Sequence, residues 1–376
     1  MRYLTADYIY PLHEPPIKKG VLQISDSGEI IKVHRDYKTI KHQEIEIFSG
    51  IICPGFINAH CHLELSHLRG VIPRRTGLVN FIKQIYKRNN FNDDFVQEAI
   101  DLAEKEMINN GIVAVGDICN TTDTILQKKK QNLTYYNFIE VFEVNSSNIN
   151  KKITNALAIR DEFINSNLTA SLTPHALYSN PPLLIRKILE SNNTNETVFT
   201  VHNQESDSEN QLFELKKGEL FSWLKSINAD SNIWNTRDNN SDIINDFLEK
   251  KIILVHNTYI KKKDIRGVYY CTCPSANLYI ENKLPDYSLF DRNKLCVGTD
   301  SLASNTHLSI LNELLIIKEN TDFDLNTLLK IASKNGAEAL GLSQFGTFEK
   351  GKKPGVNLLS VFQNHLTNSS KITVLQ

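Results

Sequence analysis

A chain of 376 residues, 41% hydrophobic and 23% charged, has ordinary globular composition and room for one large domain plus a smaller one. Its 42 basic and 43 acidic residues nearly cancel, so no global field favours nucleic acid or an anionic membrane surface. No run of about 18 apolar residues exists to span a bilayer. The first residues, MRYLTADYIYPLHEPP, lack the apolar core of a signal peptide. The cysteines at 53, 61, 119, 271, 273 and 296 are scattered through apolar stretches, as small buried residues of a reducing compartment. A cytoplasmic protein is the expectation.

In chain order, residues 1–50 read as short strands and turns; GVLQISDSGEIIKVHRD alternates and turns at Asp-Ser-Gly. Eight apolar runs follow, at 51–60, 111–118, 135–142, 169–176, 197–203, 251–257, 268–274 and 294–300. Continuous apolar runs are what strands buried on both faces look like. Amphipathic segments at 93–111, 150–166, 181–192, 307–320 and 324–341 separate some of them at helical spacing. Strands alternating with helices predict an α/β chain, a (β/α)8 TIM barrel over 51–344. Residues 345–376 again read as strands, predicting a small β-sandwich built from 1–50 and 345–376. The KKK runs at 128–130 and 261–263 read as solvated faces. The Asn/Asp-rich stretch 228–242 reads as a surface loop or a lid.

The polar residues inside the apolar runs carry the chemistry. In CPGFINAHCHLE, His60 and His62 project to one face of a strand, with Cys61 opposite. Taken alone, the pair is either two metal ligands or two buried imidazoles bonded to backbone. His175 ends the fourth run, His202 the fifth (with Glu205 after it), His256 the sixth and Asp300 the eighth. Five of only 11 histidines thus fall where (β/α)8 enzymes keep their chemistry, and burying each without purpose costs free energy. Asp117, in GDICN, reads as a structural partner of loop backbone.

HCH, VHNQE, LVHN and GTDS, in that order, with PGFINAHCHLE, CPSANLYI and KNGAEALGL in support, resemble the amidohydrolase superfamily. Within it the chain looks closest to the aminohydrolase branch, which holds adenosine, S-adenosylhomocysteine, aminofutalosine and guanine deaminases and triazine chlorohydrolases. The resemblance implies one divalent metal on His60, His62, His202 and Asp300, Zn2+ first and Fe2+ or Mn2+ as alternatives. It implies attack by hydroxide on that metal, with His256 and Asp300 taking up the water's proton and Glu205 shuttling a proton to the ring and then the leaving amine. Binuclear members place a lysine or glutamate at the end of the fourth strand; LTPHALYS has His175 there, which points to a single metal and to deamination. His175, Glu64, Arg69 and Asn277 are the expected substrate contacts; Glu64 has the alternative of pairing with a neighbouring arginine. Where the family often has a polar residue before the asparagine, this chain has Ala276. Ser301 and Ser304 read as caps of the next helix. The implied substrate is a small molecule, an amino-purine nucleoside or related amino-heterocycle, with no nucleic acid or membrane partner and a homodimer as a family-level expectation. A chlorohydrolase, a cyclic amidase or a non-catalytic barrel are the competing readings.

Overall fold

The computed structural model describes residues 1–37, 40, 44–192, 197–235, 247, 250–261, 267–362 and 365–376. The chain opens with seven short strands: β1 (Arg2–Thr5), β2 (Tyr8–Ile9), β3 (Ile17–Lys18), β4 (Val21–Ile24), β5 (Ile30–His34), β6 (Glu46–Ile47) and β7 (Ile51–Pro54). Eight longer-range strands follow: β8 (Phe56–Cys61), β9 (Ile112–Cys119), β10 (Thr134–Val141), β11 (Ala170–Pro174), β12 (Val198–Asn203), β13 (Lys251–His256), β14 (Tyr269–Thr272) and β15 (Leu295–Val297). β16 (Val356–Leu359) and β17 (Ile372–Val374) end the chain.

The terminal strands form two sheets, ordered β5-β4-β1-β6 and β17-β16-β7-β2-β3. Leu4, Leu22, Ile24 and Ile30 of the first share one apolar cluster with Ile9, Ile52 and Val356 of the second. The run 51–60, expected as one strand, is therefore two. Ile51–Pro54 pairs with β16 and β2, and Phe56–Cys61 pairs with β9. Gly55 makes the break: a Cβ there would meet Val113 Cγ1 at 2.4 Å and Pro354 O at 2.7 Å.

The eight central strands are parallel and lie in two sheets of consecutive strands, β8 to β11 and β12 to β15. The two sheets are hydrogen-bonded to each other at both outer edges. Asp300 N donates to His60 O at 3.0 Å, and His202 N donates to His175 O at 2.8 Å. Helices cover the outer faces for local reasons. Asn92 caps the helix Asp93–Asn109 by accepting from Phe95 N, and Val96, Ile100, Ala103 and Met107 form its buried stripe. The helix Pro182–Glu190 begins on proline, and Ser309 caps Ile310–Glu319. The expected helix 324–341 is interrupted by a π-helical turn at Lys330–Lys334.

Three expectations about charge and sulfur meet the structure here. All six cysteines are buried and unpaired to one another. Lys128 is not a solvated residue; it is 1% exposed and ion-paired with Asp117. The local run of three lysines hid this, because only one of them faces inward. Lys261 is exposed and pairs with Glu214 at 2.9 Å, whereas 262–263 lie outside the described residues. Of the stretch 228–242, the part after 235 also lies outside them; the short helix Asn232–Asn235 buries Ile233 and Trp234. Among the described residues, no helix is long and apolar enough to cross a membrane.

Candidate active site

The strand ends converge. His60 and His62 bring their Nε2 atoms to 3.2 Å of each other, and Asp300 Oδ1 stands 3.6 Å and 3.4 Å from them. The ligand-capable atoms of His60, His62 and His202 lie within 4.8 Å of one another, as do those of His60, His256 and Asp300. Backbone conformation helps aim these groups. Gln204, His256, Asn257 and Asp300 all take positive φ, at 46°, 68°, 55° and 57°. A left-handed conformation costs a non-glycine residue roughly 1–3 kcal/mol, and functional sites are where such costs cluster.

Second contacts orient the rings. His202 Nδ1 donates to His175 O at 3.0 Å, which turns Nε2 toward His60 and His62. His256 Nδ1 donates to Asn277 Oδ1 at 2.8 Å, and its Nε2 stands 3.7 Å from Glu205 Oε1. Ser304 Oγ donates to Asp300 Oδ2, so Ser304 holds the carboxylate and Ser309 is the helix cap instead.

Burial sets the protonation states. It pushes His60, His202 and His256 below the ordinary imidazole value, and His62 and His175 down to about 3. The rings therefore present neutral nitrogen lone pairs at neutral pH. Burial works against ionised Asp300, but the hydrogen bond with His60 and the imidazoles of His62 and His256 hold it below the usual carboxylate range. Glu205 goes the other way: burial first, then the charges of Asp300 and Glu281, raise it well above its usual value. The donor set of three neutral imidazoles and one carboxylate, oriented by second contacts, fits a divalent metal.

The site opens into a cavity of about 410 Å³. His62, His175, His202, Glu205, His256 and Asp300 line it. Leu78, Phe81, Ile82 and Ile85 from the helix Leu78–Ile85 form an apolar wall with Trp223 and Leu224 of the helix Glu219–Ser226. The other sequence-based candidates divide. Asn277 lies behind His256 and outside the lining. Glu64 is fully buried and engaged by four partners: the backbone N–H groups of Asn120 and Thr121, Thr121 Oγ1, and Arg88. Arg69 is placed on the surface, paired with Glu106, and does not line the cavity. The arginine at the cavity is Arg88, 24 residues from Glu64 and inseparable from Arg69 by local pattern alone. Glu140 and Tyr178 also line the cavity and were not singled out. A carboxylate inside the run YYNFIEVF was a signal of the same kind as the strand-end histidines. Asp117 Oδ1 accepts from Leu63 N at 2.8 Å, the backbone role expected of it.

Gly298 is the tightest point beneath the site. A Cβ there would lie 2.6 Å from His60 O and 2.8 Å from His60 N. Gly298→Ala is expected to displace the strand carrying His60 and to weaken any divalent-metal binding at the candidate site about 10- to 100-fold, the usual cost of disturbing a ligand's support. Metal titration of the folded variant checks it.

The amidohydrolase family model matches residues 51–374. Among curated relatives, 5'-deoxyadenosine deaminase of Methanococcus vannielii is 27% identical over 366 residues, covering 89% of this chain and 81% of the relative. Adenosine deaminase of Helicobacter pylori is 25% identical over 358 residues, covering 90% and 85%. Among solved structures, aminofutalosine deaminase of Helicobacter pylori in complex with methylthio-coformycin superposes with a TM-score of 0.82, at 21% identity, covering 97% of this chain and 94% of that one. With most of its length matched and its polar strand ends gathered at one cavity, the chain belongs to the amidohydrolase family.

Proposed function

We propose that this chain is a metal-dependent hydrolase that removes the amino group of an amino-purine nucleoside or related amino-heterocycle and releases ammonia. The observation that carries the reading is the meeting of His60, His62, His202, His256, Asp300 and Glu205 at the ends of parallel strands, around one cavity. Relatives named as deaminases across most of the chain support it. We read the two hydrogen-bonded parallel sheets as one closed (β/α)8 barrel over 51–344, with a β-sandwich of 1–50 and 345–376 beside it.

His60, His62, His202 and Asp300 would hold one divalent metal, Zn2+ before Fe2+ or Mn2+. When bound, such a metal lowers the pKa of a coordinated water and so supplies a nucleophile at working pH. The chain's own residues do the rest. Glu205, its pKa raised by burial, donates a proton to the ring nitrogen beside the attacked carbon, regains one from the added hydroxyl as the carbonyl forms, and passes that proton to the leaving amine. His256, fixed through Asn277, faces Glu205 and takes up a proton from the attacking water together with Asp300. His175, its Nδ1 2.8 Å from Ser179 Oγ, presents its other nitrogen to substrate.

The test is ammonia release across a panel of amino-heterocycles, from adenosine, 5'-deoxyadenosine and S-adenosylhomocysteine to guanine and cytosine, before and after chelation. Release from one class, abolished by chelation and restored by Zn2+, is expected. Silence across the panel with metal bound overturns the reading. Metal-dependent loss of substrate without ammonia points to another leaving group, as in a chlorohydrolase.

A further inference from the structure

Among the described residues, two that line the cavity carry a buried side-chain oxygen with no hydrogen-bond partner: Glu140 Oε1 and Tyr178 Oη. Both side chains are nine-tenths buried or more. Glu140 is held in place from one side, since Asn120 Nδ2 donates to its Oε2 at 3.1 Å. Its Oε1 stands 3.6 Å from His202 Nδ1, but the hydrogen of that nitrogen goes to His175 O. The carboxylate nearest in kind, Glu64, is already engaged by four donors. A buried acceptor left unpaired costs free energy that a ligand's donor recovers.

Position says which part of a ligand that donor belongs to. Glu205 follows β12, and His256 is the last residue of β13. Glu140 is next to last in β10, and Tyr178 lies just past β11. A substrate that presents its amino-bearing carbon to Glu205 and His256 has its remainder in the cavity that Glu140 and Tyr178 also line. Charge narrows the chemistry. Glu140 and Glu143 face this end against Lys152, while Arg88 is taken by Glu64. With Arg88 engaged and two carboxyl groups facing one lysine, a neutral hydroxyl, which can donate or accept, is the matching group.

We propose that Glu140 Oε1 accepts a hydrogen bond from a sugar hydroxyl of the substrate, with Tyr178 Oη as a second polar contact, so that the site selects a nucleoside over its free base. This deepens the deaminase reading and rests on it. The structural reason is that a built acceptor discriminates against a ligand that lacks the donor.

The experiment measures kcat/KM for adenosine, 5'-deoxyadenosine, 2'-deoxyadenosine, 3'-deoxyadenosine and adenine, with wild type, Glu140→Gln, Glu140→Ala and Tyr178→Phe. Wild type is expected to lose about 10- to 100-fold on removal of the 2'- or 3'-hydroxyl, the scale of leaving a buried polar group unpaired. In Glu140→Ala that gap should close to within about 3-fold, with metal content unchanged. Glu140→Gln, which keeps the side chain's size, serves if the alanine variant does not fold. Equal rates on ribo and deoxy substrates in wild type, or a gap that survives in both Glu140 variants, overturn the inference while the deaminase reading stands. No ammonia from any of the five compounds overturns the inference, and silence across the wider amino-heterocycle panel overturns the deaminase reading with it.

Discussion

Glu205→Gln slows ammonia release about 10²- to 10⁴-fold, the range for losing a positioned acid–base group, while metal stoichiometry and the unfolding midpoint stay at wild-type values. Three features make this the largest functional effect expected of a single conservative change. Glu205 is 5% exposed, so its carboxyl is shielded from solvent protons. Burial first, then the charges of two neighbouring carboxylates, raise its pKa, which favours its acid form over that of an ordinary glutamate. It also stands 3.7 Å from His256, so the proposed proton donor and the proposed acceptor of the water's proton face the same space. The amide keeps size and shape but cannot carry the proton. Substrate binding in the variant is expected to change far less than turnover. A variant that keeps wild-type turnover would move the shuttle to another group and remove Glu205 from the mechanism.

Lys128→Met is expected to destabilise the fold by about 3–5 kcal/mol, the cost of leaving one partner of a buried ion pair alone. The ammonium pairs with Asp117, lies 2.6 Å from Asn137 Oδ1 and sits over the rings of Tyr135 and Phe163. Burial acts most strongly, against its charge, yet Asp117 and Cys119 together outweigh it and raise its pKa. Asp117 in turn accepts from Leu63 N, the residue directly after His62. The pair thus anchors the loop that leaves the first candidate ligand strand. Chemical denaturation of Lys128→Met, Asp117→Asn and the double variant forms a cycle. The double variant should recover part of the loss, because both charges are then gone. Equal midpoints for wild type and Lys128→Met would show that the ammonium has been charged to the wrong account.

The candidate site was legible in the sequence where its signal was local. His60, His62, His202, His256 and Asp300 each end an apolar run, and a parallel sheet brings run ends together without any knowledge of loops. Glu205 was legible by its spacing from His202. What escaped depended on pairings across the chain. Arg69 and Arg88 sit in the same connection, and only the path of the chain decides that Arg88 meets Glu64. Lys128 looks like its neighbours Lys129 and Lys130 until the helix turn that faces Asp117 is known. Ser304 looked like a cap because serine before a helix usually is one; here Ser309 caps and Ser304 holds Asp300. The strand at 51–60 was misjudged as one element because Gly55 leaves no gap in hydropathy, only a change of partner.

The two central sheets come from consecutive stretches of chain and touch through bonds that candidate site residues make, His60 with Asp300 and His175 with His202. The candidate ligands are divided in the same way, two from β8 and its exit and two from the later half. An ion bound among them would therefore act as a clasp across the join. Assembly of the two halves and capture of the ion become one event, so growth in metal-poor medium would yield less folded chain as well as less activity.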